Sequence, residues 1–411
     1  MALSALSTAS LVLAAVSSAP AVPCTPHCPV LLVGGLSGSV LEAKVADRQP
    51  RIFGCKNDRD WYRIWANMEA VLNNKCFNAN MQLHYDNGTL RNASSVSIRA
   101  VPGLAGLEYI SASPKVAYYH NMISELESFG WARNETIFGF SYDWRATGDP
   151  GATASQLAAL REAIEGASAR SGGRPVHVLA HSLGVSLTQL LLNGEVGTKS
   201  WKDRFVRSVA YLAPPLKGAA GALQAVVLGP QLGKWIPQLV PNLVVPALRT
   251  CPSLALIMPN DRNFWKNMTG GNAFIEDSAS NTSYGFDDMA HFLADLPGAS
   301  VLQQAYPAVS APSSVARLSM DPGVPTLCAF ANDSETALRM QFKKAGFEKQ
   351  QILQTTLGDG TVNRESMAWC SRWANATVNE YVLKQGSGAH VAVASDQNVV
   401  RDVVWWWRTL S

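Results

Sequence analysis

No run of lysine or arginine appears anywhere in these 411 residues, and the charges nearly cancel, 34 Lys and Arg against 31 Asp and Glu. That absence excludes nucleic acid as an expected partner, because a polyanion face needs clustered positive charge. Charge of either sign is scarce: 16% of residues are charged and 47% hydrophobic, which excludes wholesale disorder and leaves material for a large core. No Gly-Lys-Ser/Thr ending or Gly-x-Gly-x-x-Gly spacing is present, so no phosphate loop is expected. No His/Cys cluster has catalytic zinc spacing, and no metal or organic cofactor is expected. The longest apolar stretch, residues 218–248, carries one charge, Lys234. Pro230, Pro237, Pro241 and Pro246 break it too often for a spanning helix.

What is present points first to the secretory route. Residues 1–16 are small and apolar, and Ala19-Pro20-Ala21 is an Ala-x-Ala cleavage pattern, so residues 1–21 read as a signal peptide. No Lys or Arg precedes the apolar stretch, and an uncleaved tail is the plainer alternative. Seven N-x-S/T sequons start at Asn87, Asn92, Asn134, Asn267, Asn281, Asn332 and Asn375. The cysteines are Cys24, Cys28, Cys55, Cys76, Cys251, Cys328 and Cys370. In an oxidising compartment they pair, and their odd number leaves at least one thiol free or intermolecular. An extracellular and a lysosome-like address both fit.

Strand and helix patterns alternate along the chain. Strands are expected over 29–33, 136–140, 175–180, 205–212, 324–330 and 351–356, and helices over 115–129, 153–169, 183–192 and 391–407. Residues 44–114 and 214–316 read as irregular insertions. The alternation predicts an α/β fold with a mostly parallel central sheet and helices on both faces.

Ala180-His181-Ser182-Leu183-Gly184 carries the strongest chemical signal. A buried strand ends there and a helix begins at once, as a nucleophile elbow requires. Small residues at 180 and 184 let the two backbones approach. The Leu183 amide sits at the helix N-terminus, where it can donate to an oxyanion. The bland alternative is a strand–helix turn with a capping serine. A serine nucleophile needs a base, and only His291 and His390 lie well downstream. His390 follows a Gly-Ser-Gly loop, whereas His291 sits on a helical pattern, so His390 is preferred. For the acid, Asp359 and Asp333 both follow strands, and on placement alone Asp359 is only slightly preferred. The Gly34-Gly35-Leu36-Ser37-Gly38 loop follows the first strand and offers the Leu36 amide as a second oxyanion donor.

Several segments together resemble the lecithin:cholesterol acyltransferase family, which includes lysosomal phospholipases A. They are Val33 to Lys44, Ile64-Trp65, Tyr142-Asp143-Trp144-Arg145, the elbow, Gly358-Asp359-Gly360-Thr361-Val362 and the late His390. The resemblance implies an α/β-hydrolase fold, with Ser182 as nucleophile, Asp359 as acid, His390 as base and the Leu36 and Leu183 amides as the oxyanion hole. It implies disulfides Cys55–Cys76 and Cys328–Cys370, leaving Cys24, Cys28 and Cys251, with a Cys24–Cys28 bridge unsupported. It also divides the chain: core at 22–43, a membrane-binding subdomain at 44–114, core at 115–214, a cap with a mobile lid at 215–320, and core at 321–411. Trp61, Trp65 and Trp235 are candidates for the lipid interface, as are Phe53 and Tyr62. The implied partners are a phospholipid membrane or lipoprotein surface, a lipid ester substrate and an alcohol acceptor; oligomeric state is not implied. Gly34 stands where the family usually has Pro. Leu36 stands where the lysosomal phospholipases have an acid, which removes one reason to expect an acid optimum. The expected activity is phospholipase A with transacylation. Competing readings are a dedicated sterol O-acyltransferase, a non-catalytic lipid-binding protein, and an esterase of short soluble esters.

Overall fold

The structure, a computed structural model, describes residues 27–112, 115–229 and 240–410. The expected signal peptide, Cys24 and Trp235 lie outside the described residues. Six strands form the central sheet: β1 (Val30–Val33), β2 (Ile137–Phe140), β3 (Val176–His181), β4 (Val206–Leu212), β5 (Thr326–Ala331) and β6 (Ala376–Tyr381). They run parallel in the order β6-β5-β4-β3-β1-β2. All of β1, β3 and β5 is buried, which is why these segments read as unbroken apolar runs rather than alternating ones. Val33 pairs with Ala180, so the loop after β1 and the turn after β3 leave the sheet side by side at its carboxyl edge.

Helices α1 (His120–Ser128), α2 (Pro150–Arg170), α3 (Leu183–Leu192) and α5 (Gln397–Thr409) flank this sheet, whereas α4 (Ala220–Leu228) packs on helix Val240–Leu248 and strand Ser334–Lys344. Asp149 caps α2 by accepting the Ala152 amide at 2.8 Å, and Pro150 stands first in the helix, where its missing N–H costs nothing. In α5, Val399, Val400, Val403, Val404 and Trp407 form the buried stripe, and α5 packs on α1.

Three expectations change. Residues 115–117 form a short strand paired with Tyr109–Ala112, and the helix begins only at His120. The apolar spacing there continues across a strand–helix junction, and Tyr119 turns its hydroxyl onto the Val33 carbonyl at 2.9 Å. The strand expected over 351–356 belongs to a separate sheet. It lies within Glu348–Gly358, which pairs antiparallel with Ser334–Lys344. The two irregular regions are also regular. In the first, Leu41–Val45 is the middle strand between Arg59–Arg63 and Val96–Ala100, followed by helices Met68–Leu72 and Asn74–Met81. The second is mostly short helices. Among the described residues no helix is long and apolar enough to cross a membrane.

Cys55 is joined to Cys76 within the first insertion, and Cys328 on β5 is joined to Cys370. Cys28 is disulfide-bonded, and Cys251 is a buried free thiol whose pKa burial pushes up to about 12.

Candidate active site

Ser182 is the pivot between β3 and α3. Its backbone has φ 53° and ψ −120°, a left-handed conformation that costs energy for a residue with a side chain. The neighbours hold it there. The Ser182 amide donates to the Leu212 carbonyl on β4 at 2.9 Å, and all ten residues of α3 are buried. Two glycines permit the close fit. A Cβ on Gly184 would lie 2.5 Å from the Gly34 carbonyl oxygen. One on Gly35 would lie 2.9 Å from His181 Nδ1 and 3.0 Å from Ser182 Cβ.

His390 arrives from the turn before α5 and Asp359 from the end of the Glu348–Gly358 strand. His390 Nε2 lies 2.9 Å from Ser182 Oγ, and His390 Nδ1 lies 2.7 Å from Asp359 Oδ2. Asp359 is fully buried. Its second oxygen, Oδ1, accepts the amides of Thr361 at 2.9 Å and Val362 at 2.7 Å, so the carboxylate is held from both sides. The His390 amide donates to the Asp359 carbonyl at 3.1 Å. The two alternatives go elsewhere. Asp333 accepts the Lys384 amide, and His291 pairs with Asp295 one helical turn away on an exposed surface.

Leu36 and Ser182 line the same cleft. Leu183 opens α3, so its amide is among the first four that lack an intrahelical acceptor. The loop bearing Leu36 is gripped by aromatic side chains. Tyr142 donates to the Gly34 carbonyl at 2.9 Å, Trp65 Nε1 to the Ser37 carbonyl at 2.9 Å, and Trp144 Nε1 to the Ser39 carbonyl at 3.2 Å. Arg145, wholly buried, binds Asp143, the Met81 carbonyl and Asn92, joining the core to the first insertion. The Tyr-Asp-Trp-Arg segment is therefore a clamp on this loop. The sequence singles the segment out but not that role, because Gly34 and Ser39 lie far from Tyr142 and Trp144 along the chain.

The cleft lies between the Ser182 end of the core and α4. Leu36, Ile110, Ala222, Leu254, Ile257 and Val391 make its walls chiefly apolar, and α4 forms one side. Such a wall suits a hydrocarbon chain, with polar groups confined to the Ser182 end.

Trp65 is a correction: it is buried, hydrogen-bonded to Ser37 and packed edge-on against Trp144, so it is not available to a lipid surface. Trp61 is half-buried under the Arg99 guanidinium, 4.0 Å above its ring. Phe53 is 93% exposed and Leu72 68%. Of the sequon asparagines, Asn87, Asn134, Asn267, Asn281 and Asn375 are exposed. Asn92 and Asn332 are half-buried and bonded to Arg145 and Glu380.

The family description lecithin:cholesterol acyltransferase matches residues 59–317. The chain is 29% identical over 364 residues to lecithin-cholesterol acyltransferase-like 1 of Arabidopsis thaliana, covering 83% of this chain and 81% of that one. It is 28% identical over 381 residues to the lysosomal phospholipase A and acyltransferase of Homo sapiens, covering 90% and 88%. It is also 32% identical over 214 residues to the phosphatidylcholine-sterol acyltransferase of Homo sapiens, covering 50% and 47%. Among solved structures, a chain of the Tle4–Tli4 complex aligns with a TM-score of 0.52 at 12% identity, covering 93% of this chain and 97% of that one, a likeness of fold alone.

Proposed function

The chain belongs to the lecithin:cholesterol acyltransferase family and is a lipid acyl hydrolase/acyltransferase, and on that premise we propose that Ser182, His390 and Asp359 carry its reaction. The observation that carries the proposal is the line Ser182 Oγ to His390 Nε2 at 2.9 Å and His390 Nδ1 to Asp359 Oδ2 at 2.7 Å, at the polar end of an apolar cleft. His390 takes the Ser182 proton as Oγ bonds to the ester carbonyl carbon. Asp359 keeps the imidazole in the tautomer with its proton on Nδ1 and stabilises the imidazolium. The Leu36 and Leu183 amides receive the oxyanion, a contribution of about 3–4 kcal/mol per donor. His390 returns the proton to the departing alkoxide, and an acyl-enzyme remains. His390 then deprotonates water or an alcohol, which attacks the acyl carbon and frees Ser182.

The proposed substrate is a glycerophospholipid presented at a membrane or lipoprotein surface. Phospholipase A chemistry is the main outcome, with transfer to an alcohol beside it. Phe53 and Leu72, exposed on the segment tied by Cys55–Cys76, support residues 44–114 as the lipid-facing subdomain. Residues 215–320, whose α4 lines the cleft, are proposed as cap and lid. Two disulfides fit a protein of the secretory pathway. Its proposed destination is the extracellular space or a lysosome-like compartment.

The test is product analysis on phosphatidylcholine vesicles containing a sterol, with wild type and Ser182→Ala. Wild type is expected to release fatty acid or form sterol ester, and Ser182→Ala to do neither. Equal activity of the two proteins would remove Ser182 from the mechanism.

A further inference from the structure

Resting on that reading of Ser182 and His390, we propose that Tyr118 and His181 are positioning residues that brace the oxyanion loop against the loop carrying the base. Neither touches the reacting groups through the Ser182–His390–Asp359 line, and neither is needed for the proton transfers above.

The connection is made of three buried hydrogen bonds. The Gly35 amide donates to the Tyr118 hydroxyl oxygen at 2.9 Å. Tyr118 Oη lies 2.7 Å from His181 Nδ1. His181 Nε2 lies 2.8 Å from the His390 carbonyl oxygen. Their direction follows from counting protons. A carbonyl oxygen only accepts, so the His181 proton is on Nε2. Nδ1 of a neutral ring then accepts, so the single Tyr118 proton points to it. The Tyr118 lone pairs remain for the Gly35 amide. Burial, and secondarily the nearby His390, hold the His181 pKa down near 3, which keeps the ring in this neutral form.

The packing leaves little freedom. Tyr118 is 2% exposed, and a Cβ on Gly38 would lie 2.8 Å from its hydroxyl, so the oxyanion loop is wrapped around the phenol. The rings of His181 and His390 stand 5.0 Å apart. The brace therefore joins three pieces of chain that must be in register for catalysis. They are the loop beside the Leu36 amide, the elbow residue next to Ser182, and the backbone of the base. A small displacement of any one misplaces an oxyanion donor or lengthens the Ser182–His390 bond, and transition-state stabilisation falls steeply with such errors.

The experiment uses the full chain as wild type, Ser182→Ala, Tyr118→Phe, His181→Leu and His181→Gln. Turnover is measured on phosphatidylcholine vesicles and expressed per active site titrated with a fluorophosphonate, which removes any change in folded fraction; Ser182→Ala, with no serine to titrate, is expressed per mole of folded protein. Tyr118→Phe keeps the ring and deletes only the hydroxyl. It is expected to lower kcat per site by about tenfold or more with KM within about twofold, the pattern of an interaction realised in the transition state. His181→Leu is expected to lose at least as much. His181→Gln, whose amide can donate to the His390 carbonyl, should recover part of that loss. Should His181→Leu not fold, Tyr118→Phe decides alone. A kcat for Tyr118→Phe within twofold of wild type, with Ser182→Ala inactive, overturns the brace and leaves the triad standing. Full activity of Ser182→Ala overturns both.

Discussion

Asp359 receives three donors on one buried carboxylate: the His390 imidazole on Oδ2 and the Thr361 and Val362 amides on Oδ1. Asp359→Asn keeps the shape and can keep the acceptor toward the two amides, but then presents an NH₂ to His390 Nδ1. The imidazole must adopt the other tautomer, with its proton on Nε2 facing Ser182. The expected result is a fall in kcat of about 10³- to 10⁴-fold with the folded state retained, read by vesicle turnover beside a circular dichroism spectrum. A loss below tenfold would remove Asp359 from the acid role. At this scale much of the site was legible. The elbow announced itself because small residues at 180 and 184 and a buried strand are local features. The aromatic grip on the loop after β1 was not legible, because Tyr118, Tyr142 and Trp65 become its partners only through folding across tens of residues. Trp65 shows the hazard: an aromatic in a loop-like stretch was read as lipid-facing, and it is spent on a carbonyl inside the core.

Elements with a single environment were read well. α3 is buried on every side and β3 on both faces, and their boundaries fell within a residue of expectation. The first insertion looks like loop in sequence because its order comes from pairing Leu41–Val45 with Val96–Ala100, a contact that no local period encodes. The strand expected at 351–356 joins a separate sheet for the same reason: its β-forming residues mark a strand but not the partner it pairs with. The insertion also carries a prediction. Phe53→Ala and Leu72→Ala each remove exposed apolar surface without disturbing the core. Each is expected to weaken vesicle binding by about tenfold, while hydrolysis of a short soluble ester stays at the wild-type rate. Vesicle flotation paired with the soluble assay reads both; parallel losses in the two would mean the insertion supports the fold rather than the interface.

Across the whole molecule, acid is expected to be destabilising through two histidines. Burial pushes both His177 and His181 from 6.5 to about 3. Between those values the unfolded chain binds protons that the folded chain refuses, so stability is full above about pH 6.5 and is lost as pH falls toward 3. Each group contributes up to about 1.4 kcal/mol per pH unit in that window. Urea unfolding at pH 7 and pH 5 is expected to show the loss. His177→Asn, which can keep a partner for Ser208, should lose less between the two pH values than wild type. A protein equally stable at both would contradict neutral burial of these rings. The distance along the chain between Ser182 and His390 bears on the order in which the site is made. Ser182 and His390 are separated by 208 residues. At about 5–20 residues per second, a ribosome delivers His390 roughly 10–40 s after Ser182. During that interval the nascent chain holds Ser182 without the imidazole proposed to activate it, so no acyl transfer through Ser182 is expected before His390 is made.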